Sequence, residues 1–569
     1  MKWKNLLNDS KPRKVMPGEN EGLDMSPFER DYYTIVTSSY FRRLQKKTQV
    51  YVLDESDFIR TRLTHSLEVS AIAEMLGKRV GEEIRKHHNE DLPENFVEKL
   101  SLVLRCAGLL HDLGNPPFGH SGEEYIRDFF QENEERLRAD LTDQMWLDFI
   151  NFDGNAHNFR IVTKLGQSSN PQDERYGMGL TNAVLNSIIK YPYTSLVWKE
   201  RECNANGKKK RGKIGYYHSE DWIAEIVMRE TGTVSKGRVM KNPVMMLMEA
   251  ADDIAYATAD VEDAIKKQEV TIQEIRAILP EEDAEKINDK RDEANIRELQ
   301  NVLKQIRETA VIDVVKAFMD NYEDIMNGCY EGELVANGTY DLSKLKVALY
   351  GVYAERDKSA EIRYDSQKQV TEILDYLVNA VLKDGGERTF AENVLLEELR
   401  QYFDKGDREV LHMWNHEIDP RDMSEEEKEK EKKKEERYHK YMAIVDFVSG
   451  MTDSYVNIFW NKIYNEDYIK NQKLKYKQEC LAALSRASNF VEANEIMGRV
   501  KSVDLWNNFE ISVMLQCFLN NSQVRGAYDC IKMIKKLYKV YDSADFSILS
   551  REDEETLKEF AKSGWENIG

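Results

Sequence analysis

Along most of the chain, apolar residues return every three or four positions, and stretches that alternate with period two are few. That pattern predicts helices rather than strands. The segment SLVLRCAGLLHD (101–112) is apolar on nearly every side, which marks a helix buried among other elements. From about Asp31 to Phe130, helical patterns alternate with short breaks. Residues 1–30 are polar and rich in turn formers, so an N-terminal arm or loosely docked lead is expected there. Residues 203–218, CNANGKKKRGKIGYYH, read as a loop. The run MSEEEKEKEKKKEER (423–437) has no apolar face after Met423. Its acidic start and basic end suit the helix dipole, and its Glu-to-Lys pairs four apart suit an exposed helix. A solvated helix and a disordered insertion both fit it. No internal repeat is visible, and the predicted fold class is all-α.

Composition narrows the class. The 569 residues exceed one small domain and allow a large core. Pro is scarce at 11, while Leu, Glu, Lys, Met and Ala recur at helical spacing. A formal net charge of -21 argues against a broad DNA-coating surface and leaves room for a local basic site. The six cysteines, Cys106, Cys203, Cys329, Cys480, Cys517 and Cys530, form no Cys-x-x-Cys pair and read as reduced thiols rather than a disulfide framework. The start, MKWKNLLNDSKPRK, lacks the apolar core of a secretory signal. No run approaches the ~18 apolar residues of a membrane span. A cytoplasmic location with no membrane partner is expected.

Candidate chemistry gathers around HDLGNPPFGH (111–120). Together with His65 in RTRLTHSLEVS and Asp252 in MEAADDIAYATADVEDA, the pair His111-Asp112 supplies imidazoles and carboxylates. That donor set suits a divalent cation such as Mn²⁺, Fe²⁺, Co²⁺ or Mg²⁺, and the lack of thiolates disfavours structural zinc. A buried Asp is costly unless paired or metal-bound, and Asp112 follows an almost wholly apolar helix. The glycines and prolines after it stop that helix and return the chain past its end, which brings His120 towards the metal. Asp252, Tyr256 and Asp260 stand at i, i+4 and i+8, one stripe rising about 6 Å per step. Alone, the stripe describes an ordinary polar helix face; beside the His-Asp segment it marks a carboxylate on metal and two groups along a ligand. Glu123 stands one turn after His120, with Ser121 as a candidate N-cap, and its carboxylate could orient the imidazole and hold it charged.

These residues resemble the HD-domain phosphohydrolases. Within them, HDLGNPPFGHSGE and EAADDIAYATADVEDA look most similar to the bacterial deoxyguanosine triphosphate triphosphohydrolases, relatives of the animal HD-domain dNTPase. KTQVYVLDESDFIRTRLTHSLEVS (47–70), FDGNAHNFRIVTKL (152–165) and SGMTDSYVNIF (449–459) match in family order. The resemblance spans roughly residues 40–460. It implies an HD-domain helical core over 31–460, after an arm at 1–30 and before a C-terminal helical extension, 461–569, packed on the core. Residues 423–437 would be an insertion, which with the tail carries no family motif.

The implied reaction is cleavage of dGTP at the α-phosphate to deoxyguanosine and tripolyphosphate. By matching position, His65, His111, Asp112 and Asp252 would hold the metal, Mg²⁺ or Mn²⁺ with Fe²⁺ or Co²⁺ as alternatives. His120 would be the catalytic histidine, supported by Glu123, and Arg62 would lie near the α-phosphate. Gln49 and Val50 would pack at the deoxyribose, Tyr256 against the sugar, and Asp260 at the 3'-hydroxyl. Lys190 with Tyr191, and Lys213, are candidates for the triphosphate; the cluster Lys208–Lys213 reads equally as a solvated loop or a phosphate clamp. The resemblance also implies a homo-oligomer such as a hexamer, and an allosteric nucleotide or single-stranded DNA as further partners. His157 departs from it, standing where the family more often has Gln. Whether His120 protonates the leaving oxygen or assists the nucleophile is open at this level. Two other readings stand beside this one: the same metal site acting on another dNTP or a phosphorylated guanine alarmone, and a non-catalytic nucleotide sensor.

Overall fold

The computed structural model describes residues 1–12, 24–49, 59–88, 91–166, 177–197, 213–235, 237–268, 270–342, 359–383, 389, 392–393, 396, 425–464, 470 and 475. Helices dominate these residues, as the hydrophobic spacing predicts, and the fold is all-α. Among them, the only strands are β1 (Val234–Ser235) and β2 (Arg238–Val239), an antiparallel pair with Val234 opposite Val239.

The core begins with α1 (Pro27–Thr37), α2 (Arg62–His87) and α3 (Phe96–Leu110). Thr61 starts α2: its hydroxyl accepts from the Thr64 amide, and Thr64 Oγ1 accepts from the Thr61 amide. This satisfies two donors that the first turn would leave unpaired. Val69, Ile72, Ala73, Leu76, Val80 and Ile84 make one buried face of α2. In α3 the apolar positions run almost all round, and Leu100, Val103, Leu104, Ala107 and Leu110 are fully buried. The two helices approach closely because glycines stand at the crossing. A Cβ on Gly108 would lie 2.6 Å from Ser70 Cα, and one on Gly77 would lie 2.9 Å from Ser101 Cα. Ser70 Oγ donates to Arg105 O at 2.8 Å across the same contact.

Further helices follow that pair along the chain. Gly119–Glu132 is α4, Asp143–Ile150 is α5, Gly154–Arg160 is α6 and Asp221–Glu230 is α7. After them, α8 (Pro243–Lys266) opens with an Asn242 side-chain cap and Pro at its first position, and packs against both α2 and α3. Against both α8 and α2 packs α9 (Glu293–Asp320). Of the charged run at 423–437, residues 425–437 belong to α10 (Glu425–Ser449), a helix that continues from the exposed Lys432 and Lys433 into the buried Tyr441–Ser449 stretch, and residues 423–424 lie outside the described residues. One guanidinium ties α10 to the core. Arg160 Nε and Nη2 reach the two Asp446 oxygens at 2.7 Å each, and Nη1 reaches Glu220 at 2.7 Å.

The chain divides into two compact units, Met1–Thr371 with Phe403–Val456, and Glu372–Tyr402 with Asn457–Gly569. In the second, Trp460 Nε1 donates to Glu372 at 2.6 Å, and Leu374 and Leu377 are buried. Of the expected N-terminal arm at 1–30, residues 1–12 and 24–30 are described: the latter enter α1 at Pro27, and the former are docked. Trp3, Leu6 and Leu7 are buried, and Trp3 Nε1 donates to the Tyr322 hydroxyl at 2.7 Å. Of the expected extension at 461–569, only residues 461–464, 470 and 475 are described. Cys106 is buried and Cys329 exposed, both free thiols, and the other four cysteines lie outside the described residues.

Substituting Val at Gly108 should force α2 and α3 apart, because its side chain meets the Ser70 and Val69 backbone rather than movable side-chain ends. The expected loss is about 1–3 kcal/mol or more of unfolding free energy, read by urea denaturation. A wild-type midpoint would show that the helices do not cross as closely as described.

Candidate metal and catalytic site

Three elements converge on one small space. His65 comes from the first turns of α2, His111 continues the C-terminal end of α3, and Asp252 lies in α8. One ligand-type atom from each lies within 4.8 Å of the others. His65 Nε2 is 3.0 Å from Asp252 Oδ1, and His111 Nε2 is 3.5 Å from the same oxygen. The two imidazoles meet edge on, with centroids 5.3 Å apart, and the Tyr256 ring stands 6.2 Å from His65.

The His111 tautomer follows from its partner. Nδ1 is 2.8 Å from Gly108 O, and a carbonyl can only accept, so Nδ1 carries the proton. Nε2 is then a buried lone pair, and it has no hydrogen-bond partner. A buried nitrogen without a partner is costly, and a cation between His65, His111 and Asp252 would satisfy it. The donor set therefore fits a divalent metal. Without a cation, protonated imidazoles would have to supply the positive charge that these carboxylates face. Burial alone would raise the Asp252 carboxyl, but His111, His65 and Lys190 hold it far below the usual carboxylate range. Burial likewise opposes ionisation of Asp112, yet Arg62, His111 and His65 bring it down to about 2. Burial lowers His65, and the Asp252 carboxylate outweighs it and raises the imidazole above its ordinary value.

Asp112 lies beside this cluster, with Oδ2 3.7 Å from His111 Nε2. Its oxygens are already engaged: Arg62 Nη1 donates to Oδ2 at 2.7 Å, and Asn115 Nδ2 donates to Oδ1. The chain then turns through Leu113–Phe118. Phe118 and Gly119 both adopt left-handed backbone, at φ 63° and 58°. Gly119 is needed for a second reason, because a side chain there would collide with the Arg62 guanidinium. The following helix, α4, begins at Gly119, so Phe118 and not Ser121 occupies the cap position. The two left-handed residues reverse the chain before Ser121 is reached.

His120 thus emerges next to Arg62. Its side chain is 87% exposed, while that of Glu123 is 9% exposed. His120 Nδ1 is 3.2 Å from Glu123 Oε2, and Glu123 Oε1 accepts from the Gly154 amide at 2.9 Å. The hydrogen bond to Glu123 raises the His120 pKa against the opposing effect of desolvation. Burial pushes Glu123 up, but His120, the Gly154 amide and Arg127 hold it below its ordinary value. The pair is a fixed carboxylate carrying an exposed, readily protonated imidazole.

A cationic group stands near the start of α8. Lys190 Nζ lies 3.1 Å from Glu249, one turn before Asp252, and Glu249 also accepts from Lys241 at 2.8 Å. Lys213 Nζ donates to the Tyr191 hydroxyl at 2.9 Å, and Lys190 Nζ is 5.9 Å from the Tyr191 ring centroid. Burial would lower Lys190, but Glu249, Tyr191 and Asp252 hold it above the ordinary lysine value. Residues 208–212 of the basic loop lie outside the described residues, as does Val50. Gln49 is half-buried, with Oε1 lacking a hydrogen-bond partner. Asp260 is buried on α8, about two turns beyond Asp252. His157 is buried behind the site, 3.7 Å from Asp446, and burial with the Arg160 and Lys47 cations keeps it neutral. Sequence reasoning passed over Asn115, Lys47 and Asp453, which hold the site's loops. Their only signal was a place within the segments that resemble the family.

The HD domain family matches residues 62–188, the stretch that carries both histidines of the cluster and the His120–Glu123 pair. A deoxyguanosinetriphosphate triphosphohydrolase-like protein of Listeria monocytogenes is 33% identical over 491 residues, covering 81% of this chain and 99% of that protein. The chain belongs to the HD-domain deoxyguanosine triphosphate triphosphohydrolase family. A like-named Pseudomonas aeruginosa protein is 33% identical over 475 residues, 80% of this chain and 97% of that one. An Enterobacter protein named deoxyguanosinetriphosphate triphosphohydrolase is 33% identical over 276 residues, 44% of this chain and 52% of that one. As a member of this family, the chain is a nucleotide phosphohydrolase. No described helix is long and apolar enough to cross a membrane.

Replacing Glu123 with Gln removes the main cause of the raised His120 pKa. A raised value means the imidazolium persists to higher pH than in an ordinary histidine near ~6.5. The variant should therefore titrate at lower pH than wild type, followed by NMR of the ring C–H resonances. An unmoved midpoint would remove Glu123 from this role.

Proposed function

We propose that the protein hydrolyses dGTP at the α-phosphate, releasing deoxyguanosine and tripolyphosphate. The observation that carries this reading is the pairing of two chemically different centres across Arg62. On one side is a donor cluster with an unpartnered His111 nitrogen, and on the other an exposed imidazole backed by a buried carboxylate. A divalent cation held by His65, His111, Asp252 and Asp112, Mg²⁺ or Mn²⁺ with Fe²⁺ or Co²⁺ as alternatives, would draw charge from the phosphoryl group and acidify water.

The protein's own residues divide the remaining work. Arg62, fixed by Asp112, presents a cation beside His120, where charge develops at the α-phosphate. Lys190 and Lys213, gathered around Tyr191, take the trailing phosphates. In its charged form His120 gives its Nδ1 proton to the Glu123 hydrogen bond, which leaves Nε2–H to protonate the departing 5'-oxygen. The upward pKa shift supports this acid role over that of a base. The unpaired Oε1 of Gln49 supports a contact with the sugar. Tyr256, edge on to His65, supports packing of the sugar there, and Asp260 further along α8 supports a bond from the 3'-hydroxyl. Val50 enters this reading through the resemblance alone.

Purified protein incubated with each dNTP and with GTP, in Mg²⁺ or Mn²⁺, should convert dGTP to deoxyguanosine and intact tripolyphosphate, separated by ion exchange. Hydrolysis of several dNTPs would keep the α-phosphate reading and remove the guanine preference. Diphosphate with monophosphate would place cleavage at another bond and overturn it. His120→Ala should lower turnover by roughly 10²–10⁴-fold with metal content unchanged, whereas Asp252→Ala should lose both metal and turnover. Full activity in the Asp252 variant would sink the proposed centre.

A further inference from the structure

Asp453, at the start of helix Asp453–Tyr464, is buried, and each of its oxygens is committed to a backbone amide from a different loop. Oδ1 accepts from Phe118 N at 3.0 Å, and Oδ2 accepts from Thr48 N at 3.0 Å. Phe118 is the left-handed, non-glycine residue that turns the chain into α4, two positions before His120. Thr48 immediately precedes Gln49, and pairs as an isolated antiparallel bridge with Thr61, the cap of α2. The carboxylate therefore joins the loop that delivers the exposed histidine to the loop that carries the sugar-side candidate.

Lys47 makes a second connection between the same segments. It is buried, and Nζ donates to Asn115 O at 2.6 Å and to Ser449 O at 2.8 Å. The Asn115 side chain in turn donates to Asp112, and Lys47 O accepts from the Arg62 amide at 3.1 Å. Burial, with Arg43 and Arg62, pushes the Lys47 ammonium down to about 7. Either protonation state keeps the two N–H groups that these carbonyls need. Neither residue touches the histidine or carboxylate donors themselves, so both act through the backbone they hold.

We infer that Asp453, aided by Lys47, is a positioning residue that sets the catalytic histidine and the sugar-contacting segment in register with one another. A left-handed Phe costs free energy on its own, and the ion-to-amide bond at its nitrogen offsets that cost. Loss of the carboxylate frees both loops at once. Chemistry and sugar discrimination are then coupled through one side chain, although neither involves contact with it. This inference rests on the reading of His120 and Gln49 proposed above.

The test compares wild type, Asp453→Ala, Asp453→Asn and His120→Ala, each checked for folding by circular dichroism and for bound metal. For each, kcat and KM are measured with the dNTP that wild type hydrolyses fastest, and kcat/KM with the matching ribonucleotide. Asp453→Ala should lose roughly 10²-fold in kcat, the scale of a misplaced reacting group, and about tenfold in deoxy-over-ribo preference, with metal retained. Asparagine keeps a single acceptor oxygen, so it should restore one of the two properties more than the other. A role confined to stability would leave kcat and the sugar preference of the folded fraction unchanged. An alanine variant that is folded and metal-loaded, with wild-type kcat and preference, would overturn the inference. Should alanine prevent folding, wild-type values for both properties in the asparagine variant would overturn it equally. His120→Ala separates the two ideas: full turnover there removes the functional reading, whereas its inactivity beside an unaffected Asp453 series removes the positioning role alone.

Discussion

The site depends on how closely two helix backbones can approach. With Gly108 against the Ser70 backbone and Gly77 against Ser101, α2 and α3 cross at a separation that no side chain at those positions allows. The crossing places His65, near one end of α2, opposite His111, which continues the last turn of α3. A shift of one helix by an ångström would separate the two ring nitrogens from their common carboxylate, because both histidines sit on rigid elements with no loop to absorb the change. Packed interiors respond to added volume by displacement rather than compression. The glycines are therefore structural in cause and functional in effect.

Around that crossing, the protein arranges its charges by burial. Arg160 spans Asp446 and Glu220 with no exposure to solvent, and removing one partner of such a buried set generally costs about 3–5 kcal/mol. Its bidentate geometry ties α10, strongly charged in the sequence of its first half, to the floor behind the site. His157 lies in the same floor and stays neutral because burial disfavours its charged form and a second cation there would also face Arg160. That placement accommodates a histidine only in its uncharged form.

The sequence made the donors legible because each lies in a segment with its own local logic. An apolar helix ending in His-Asp leaves an Asp that must find a charge, and HDLGNPPFGH contains the glycines and prolines that return the chain. His65, His111, Asp112 and Asp252 could be grouped from residue types, and the structure brings one ligand-type atom each of His65, His111 and Asp252 within 4.8 Å of one another. The residues that hold the loops gave no such signal. Asp453 and Lys47 act on backbone amides and carbonyls, which carry no residue type, and their partners lie hundreds of positions away for Asp453–Thr48 and Lys47–Ser449. Ser121 looked like a cap by type, and lost that place to Phe118 because the left-handed turn is fixed from outside by Asp453. Lys190 was legible as a cation, but not its hold on Glu249, which depends on where the chain before β1 returns to α8.

The two ends of the site differ in their access to water, and that difference follows from the same construction. The two imidazoles of the donor cluster are dry: His65 and His111 are nearly without exposure, while the Asp252 side chain beside them is 30% exposed. The His120 ring is wet, standing out from a carboxylate that the Gly154 amide and Arg127 hold in place. In water a proton on that imidazole exchanges freely and its charge is screened. A nucleotide lying across Arg62 would cover the ring and exclude water from it, so the phosphate would itself complete the low-dielectric surroundings in which the His120 proton acts most strongly. Under the proposed reading, the substrate-free enzyme keeps its proton donor available to solvent for recharging, and the substrate closes that access only when it is seated. A buried histidine at this position would be slower to regain its proton after each turnover. The exposed ring on a buried anchor satisfies both needs, which is why its orientation must come from Glu123 and from the loop contacts at Phe118 rather than from packing around the ring itself.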